Sequence, residues 1–261
     1  MKVQHLYLLS PLHTGGTTQE GNLLGIARES HTNFPYIPSS TIRGKLRSSV
    51  QDEALKFQLF GTELGNAATN LEQGAIWIGD GSLLWIPIPS LSHGVIWVSC
   101  PLLLNRYIRL KGITPKPQIE ANLCSFHQPN GQIYLKDAIF KGSELKNWPK
   151  QDDLLPNPET TGIDRVLVLS DQHCATVIQM GLWRQVKIKL DEHKTVDGGF
   201  RYEEAIPPDS LMYFTWGITS QTDKSKEDKT KSDFQKLLTE YSTLQIGGQE
   251  SLGRGFVESF T

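Results

Sequence analysis

Two periods of hydrophobic positions run through the chain, one of strands and one of helices. Val3, His5, Tyr7 and Leu9 alternate with Gln4 and Leu6, which predicts a first strand over residues 2–9. Residues 10–16, and the polar-then-apolar run 17–25, read as loops punctuated by glycine. From Ile42 the period changes: Leu46, Val50, Ala54 and Phe57 follow at three or four residues, predicting one amphipathic helix with a single buried stripe. Residues 74–89 hold two strand-like runs split by the turn signal Asp80-Gly81, and residues 94–100 hold a third. A short helix is expected over 102–110 and short strands at 132–135 and 138–140. Residues 164–170 and 182–190 are further strand candidates. In the second, Arg184, Val186, Ile188 and Leu190 face away from Gln185, Lys187 and Lys189, as in a protruding hairpin with one basic edge. Asp197-Gly198-Gly199 is the expected turn, and residues 211–217 a core strand. Phe234, Leu237, Leu238 and Tyr241 mark a helix before a glycine-rich turn and a last strand. The mixed-sign charge run within 221–232 is expected to be a mobile loop. The class is α+β, a sheet with a face covered by helices.

Charge and cysteine content narrow the function. A net charge of −2, from 26 basic and 28 acidic residues, excludes a uniformly basic polyanion binder and confines any nucleic-acid surface to a local patch. Cys100, Cys124 and Cys174 are far apart and lack a C-x-x-C pair, which argues against a disulfide framework or zinc ribbon. The apolar stretches are short and interrupted, so neither a secretion signal nor a membrane span is expected. A reducing, cytoplasmic setting is the default expectation. A length of 261 residues accommodates one large domain or two small ones.

The densest candidate chemistry lies between Arg28 and Arg47. Arg28, His31, Arg43, Lys45 and Arg47 flank the turn Pro35-Tyr36-Ile37-Pro38-Ser39-Ser40, where Ser39, Ser40 and Thr41 are placed to cap free helix amides. Capping amides, the positive helix end and two guanidiniums four residues apart suit a phosphate chain. An ordinary capped helix with a solvated basic face explains the same residues. Arg106 adds charge to the short helix and Lys187 to the basic ribbon. Arg254, between Gly253 and Gly255, sits on a flexible backbone suited to a phosphate or another chain. His5, His13 and His31 fit no metal-ligand spacing.

Several separated motifs carry a resemblance. The order of Ser10-Pro11-Leu12-His13-Thr14-Gly15, Arg28-Glu29-Ser30-His31-Thr32, the 35–47 segment and the C-terminal Ile246-Gly247-Gly248 to Gly253-Arg254-Gly255 resembles the RAMP superfamily of CRISPR systems. Within it, Gly79-Asp80-Gly81 to Pro87, Pro101 to Arg106 and Tyr202 to Ser210 are similar to the Cmr-type backbone subunit of type III-B effector complexes. The resemblance covers nearly the whole chain. It implies a single domain over residues 1–261, with a ferredoxin-like (RRM-like) palm, insertions, and a β-hairpin thumb within about residues 162–200.

It further implies an antiviral ribonucleoprotein. Its partners would be crRNA, target RNA, copies of the chain stacked head to tail as a filament, and other type III effector subunits. The RNA-binding candidates are then His13, Arg28, Ser39, Ser40, Arg43, Lys45, Arg47, Arg106, Lys187 and Arg254, holding backbone without reading bases. No cofactor is implied for binding. The family subunit is also a metal-dependent target-RNA endonuclease, whose catalytic Asp precedes the Arg-Glu motif. Counting back from Arg28-Glu29, that position here is Leu23, which has no lone pair for a metal or a proton. The expectation is a binding scaffold with weak or absent slicing and no assigned metal site. Two alternatives stand beside it. One is cleavage with Mg²⁺ or Mn²⁺ held by Glu20 or another carboxylate such as Asp80. The other is a crRNA-end-binding or processing role with His13 or His31 as general base.

Overall fold

The first strand forms where the alternation places it, and much of the chain is arranged around it. The computed structural model describes residues 1–20, 23–62, 72–126, 130–148, 154 and 161–261, the side chains of 16–20 excepted. In chain order the elements begin β1 (Lys2–Leu8), β2 (Gly15–Glu20), β3 (Leu23–Ile26), β4 (Tyr36–Ile37), α1 (Ser39–Ser49) and α2 (Glu53–Phe60). They continue with β5 (Ile76–Ile78), β6 (Gly81–Ser90), β7 (Gly94–Ser99), α3 (Pro101–Lys111), β8 (Leu123–Cys124), β9 (Gln132–Leu135), β10 (Ala138–Lys141) and β11 (Lys146–Asn147). The last part holds β12 (Val166–Val168), α4 (Asp171–Gly181), β13 (Trp183–Leu190), β14 (Val196–Ala205), β15 (Leu211–Ile218), α5 (Glu227–Glu240), β16 (Thr243–Gln245) and β17 (Phe256–Phe260).

Thirteen of the described strands join one mixed sheet along the path β11-β8-β12-β7-β6-β15-β1-β17-β16, with β4, β5, β9 and β10 paired at its margins. Its centre, β6-β15-β1-β17, is antiparallel throughout. The chain reaches these strands in the order β1, α1–α2, β6, β15, α5, β17. A second sheet runs β13-β14-β3-β2.

Strand β15 shows why the sheet has two cores. Met212, Phe214 and Trp216 pack with Ile42 and Leu46 of α1, Leu59 of α2, Ile178 of α4 and Phe234 of α5. Leu211 and Tyr213, pointing the other way, pack with Tyr107 and Ile108 of α3. Strand β6 stays matched to both faces through a bulge: Met212 opposes Leu83 while Leu211 opposes Trp85, leaving Leu84 as the extra residue.

Several expectations are corrected. The single stripe from Ile42 to Phe57 is two helices. The chain is extended at Val50, and Asp52 restarts it by accepting the N–H groups of Ala54 (2.9 Å) and Leu55 (3.2 Å). The restart rotates the stripe, so α2 buries Leu59 and Phe60 and leaves Ala54 and Phe57 exposed. Asp80-Gly81 makes no hairpin, because β5 and β6 both pair with β15. The run 17–25 includes strand residues of β2 and β3. Residues 171–181, between two strand candidates, form α4, capped by Ser170 accepting the His173 N–H at 3.3 Å. Asp197-Gly198-Gly199 lies inside β14. The turn falls instead at Asp191, whose carboxylate accepts the N–H groups of His193 (2.9 Å) and Thr195 (2.8 Å). The charge run is helical from Glu227 onward. Among the described residues no helix is long and apolar enough to cross a membrane.

Phe234 is fully buried and meets Trp216 edge-on, with ring centroids 4.7 Å apart. Phe234→Ala is expected to cost about 3–5 kcal/mol of stability, read as a lower urea midpoint at unchanged slope. A loss under about 1 kcal/mol would mean that α5 does not seal this face of the sheet.

Candidate nucleic-acid interface

A loop and a helix bring Arg28 to the root of the β13–β14 hairpin. The Ala27 N–H bonds Thr14 O at 2.9 Å, the Tyr36 N–H bonds Ala27 O at 3.2 Å, and the Glu29 N–H bonds Phe34 O at 2.9 Å, so Arg28-Glu29 caps a tight reversal. Asn33 closes it at a φ of 60°, in the left-handed region that asparagine tolerates. The Arg28 guanidinium then reaches Glu204 Oε2 (2.5 Å) on β14 and Gln179 Oε1 (2.5 Å) on α4. Arg184 Nε donates to the other Glu204 oxygen at 3.1 Å. Glu204 is 1% exposed, whereas the Arg28 and Arg184 side chains are 21% and 52% exposed. One buried carboxylate thus holds two guanidiniums at the wall of a cleft of about 690 Å³, which Leu23, Gly25, Ser30 and Tyr36 also line.

Two further carboxylates are held by cations, Glu29 at the cleft and Glu203 on the opposite face of β14. Glu29 accepts from Arg106 of α3 and from Thr32 Oγ1 at 2.5 Å. Burial opposes its charge, but these hydrogen bonds outweigh burial and hold its pKa below the ordinary value. On β14 the neighbour of Glu204, Glu203, takes Lys187 Nζ at 2.6 Å and Arg254 Nη1 at 3.0 Å. Burial again opposes its charge and is outweighed, chiefly by Lys187, so its pKa is also lowered.

The predicted residues separate accordingly. Arg28 lines the cleft and Arg106 borders it through Glu29. Arg43 and Arg47, expected on a phosphate-facing flank, turn inward. Arg43 donates to Ile76 O (2.9 Å) and Phe60 O (2.7 Å), and Arg47 to Gly61 O (2.9 Å), closing the free carbonyls at the end of α2. Arg254 is 4% exposed, stacked 4.5 Å over Trp183 and bonded to Glu203 and to Gln185 Oε1 at 2.7 Å. Its glycine loop serves close packing: Gly255, at a φ of 78°, would place a Cβ 1.9 Å from Ile246 O. Lys187 is committed to Glu203. Pro38 is the N-cap of α1, so Ser39 and Ser40 lie inside the helix, and the Ser39 N–H is taken by Asp80 Oδ1 at 2.7 Å. Asp80 is therefore a cap. His13 is buried with Nδ1 2.8 Å from Glu204 O, and His31 is exposed, 3.9 Å from Glu29. His5 bonds Tyr107 in the core, where burial and then Lys111 push its pKa down to about 4. Lys45 has no ion-pair partner among the described residues. The side chain of Glu20 lies outside the described residues. Its backbone opposes Leu23 in the β2–β3 register.

Sequence reasoning missed Glu203, Glu204, Gln179 and Arg184 as site residues. The one available signal was two consecutive acids on an otherwise alternating strand.

Residues 5–258 match the sequence profile of the RAMP superfamily. The chain is similar to the CRISPR system Cmr endoribonuclease Cmr4 of Pyrococcus furiosus, 29% identical over 277 residues, 97% of this chain and 92% of that protein. It is also similar to the crystal structure of oligomeric Cmr4 from Pyrococcus furiosus, with a TM-score of 0.71 at 23% identity over 98% of this chain and 95% of that one. The type III-B Cmr-beta structure bound to cognate target RNA holds a chain similar to this one, with a TM-score of 0.76 at 18% identity over 98% of this chain and 95% of that one.

Glu29 generates a pH prediction. A carboxyl whose pKa falls on folding stabilises the protein fully above its unfolded pKa, about 4.3, and loses that contribution as pH falls through the folded value. The stability difference between the wild type and Glu29→Gln is therefore expected to be constant near about pH 6 and to shrink below about pH 4. A difference that widens on acidification would reverse the sign and remove the Arg106–Glu29 pair as its cause.

Proposed function

The chain belongs to the RAMP superfamily, and from that premise we propose that it is the crRNA-binding backbone subunit of a type III-B CRISPR ribonucleoprotein. Copies stack along the crRNA, with other effector subunits, and shape its duplex with target RNA. The order β1, α1–α2, β6, β15, α5, β17, with β6-β15-β1-β17 as spatial neighbours, supports reading the centre as a ferredoxin-like palm. The β13–β14 hairpin is then the thumb, within one domain spanning residues 1–261.

The observation that carries this reading is the Arg28–Glu204–Arg184 arrangement at the cleft wall. Guanidiniums held in place by a buried carboxylate are preorganised for phosphodiester oxygens and read no base, as a subunit that accepts any guide requires. Two named relatives support the assignment, one called an endoribonuclease and one in a complex with target RNA.

Slicing is a separate matter. Leu23 lines the cleft and offers no ligand atom. The two carboxylates there are engaged, Glu29 by Arg106 and Thr32, Glu204 by two arginines. This donor set does not fit a divalent cation, and no metal-assisted step is derived from it. The reading is a scaffold without slicing in this subunit, and Glu20 is the carboxylate to test against it.

The test is target cleavage by the complex assembled with crRNA, in Mg²⁺ or Mn²⁺. Wild type is expected to leave target intact and Leu23→Asp to cut at regular intervals. Cutting by wild type that Glu20→Ala abolishes overturns the scaffold reading. In the same complex Arg184→Ala is expected to weaken crRNA binding and to reduce the salt slope by about 0.7–0.9. An unchanged slope removes Arg184 from the interface.

A further inference from the structure

Three groups hold the Arg28 guanidinium at the cleft, and one of them, the Gln179 amide, carries no charge. We infer that Gln179 is a positioning residue: from α4 it sets the direction in which Arg28 meets an RNA phosphodiester. The inference rests on the crRNA binding proposed above and assigns the neutral partner of that site its part.

Gln179 bridges the Arg-Glu loop from outside it. Its Oε1 accepts from Arg28 Nη1 at 2.5 Å, and its Nε2 donates to Asn33 O at 3.1 Å. Asn33 O also accepts from Arg28 Nη1, at 3.3 Å, so amide, guanidinium and loop carbonyl close one ring of hydrogen bonds. An amide suits this place because it accepts at one atom and donates at the next. A carboxylate would turn a second acceptor on Asn33 O. The helix end that carries the amide is itself fixed. Val177 and Ile178 are buried, and Gly181 closes α4 against β6, where a Cβ would lie 2.3 Å from Ile88 Cδ1. The chain passes through Leu182 directly into β13, so one short segment supplies Gln179 to Arg28 and Arg184 to Glu204.

Charge and direction come to Arg28 from different partners. Glu204 Oε2 takes Nη2 and supplies the countercharge, but one such bond leaves the guanidinium free to turn about it. Gln179 and Asn33 take Nη1 and stop that turn. A guanidinium has more N–H groups than these three oxygens use, and Arg28 and Gln179 both line the cleft, so the remaining donors are left for a ligand. Fixing them before the ligand arrives removes an ordering cost from binding. Being neutral, Gln179 does this without taking further positive charge from the cleft.

The experiment is titration of fluorescently labelled crRNA with the full chain, read by anisotropy. Gln179→Met keeps the side-chain length and deletes both hydrogen bonds. It is expected to weaken binding about fivefold or more, with a thermal melt like wild type. Gln179→Glu keeps an acceptor for Arg28 but sets a carboxylate against Asn33 O and adds negative charge to the cleft. It is expected to bind more weakly than Gln179→Met, and wild-type binding by it overturns the need for an amide. Because Gln179 acts through Arg28, adding Gln179→Met to an Arg28→Ala chain is expected to change affinity by less than about twofold. Equal losses in the two backgrounds overturn positioning and give Gln179 a contact or a packing role of its own. Wild-type binding by Gln179→Met, beside weakened binding by Arg28→Ala, overturns the inference and leaves the cleft reading standing. Wild-type binding by Arg28→Ala overturns the part of Arg28 in the cleft reading, and this inference with it.

Discussion

Two adjacent buried carboxylates, Glu203 and Glu204, are the constraint on which the site depends. Taking each out of water costs several kcal/mol unless close, well-oriented cations and hydrogen bonds compensate. The compensation comes from distant parts of the chain: Arg28 from the N-terminal loop, Arg184 and Lys187 from β13, and Arg254 from the C-terminal glycine turn. Successive strand residues point to opposite faces, so Glu204 gathers its cations on the cleft side and Glu203 on the other. The hairpin root, the Arg-Glu loop and the glycine turn are thereby tied to one point on β14.

That tie explains why so isolated a hairpin can stand. A two-stranded ribbon is marginal in water by itself, and beyond its root this one exposes Val186, Ile188, Phe200 and Tyr202. Ion pairs at the base and the stacking of Arg254 on Trp183 fix its direction without covering its tip. The apolar side chains project on one face, since Val186 opposes Tyr202 and Ile188 opposes Phe200, while Lys187 opposes Arg201 on the other. Arg184 and Glu204 continue the apolar face, so the cleft's cations and the exposed apolar side chains lie on the same side of the hairpin.

The inward turn of Arg43, Arg47 and Arg254 follows the same economy of charge. Each lies beside backbone or carboxylate oxygens that burial has stripped of water, and those oxygens need donors more than a ligand does. The cations left facing the cleft are the ones whose partner, Glu204, is itself fully covered. Counting basic residues in a motif therefore overstates the ligand-facing charge, because part of it satisfies the fold.

By itself the sequence determined the elements with a local cause. Alternation placed β1, β7, β13 and β15, and spacing placed α1, α3 and α5, because side-chain period follows from backbone geometry alone. The motif order was sufficient for the family. Local pattern was ambiguous where a polar cap broke a stripe, as at Asp52, or where a turn residue such as Asp197 lay next to a better one, Asp191. The site was decided elsewhere. Arg28 and Glu204 are 176 residues apart, and Arg254 and Glu203 are 51 apart. Which arginine meets a carboxylate and which meets solvent depends on the packing of sheets and helices between them, and no periodicity within either segment carries that information.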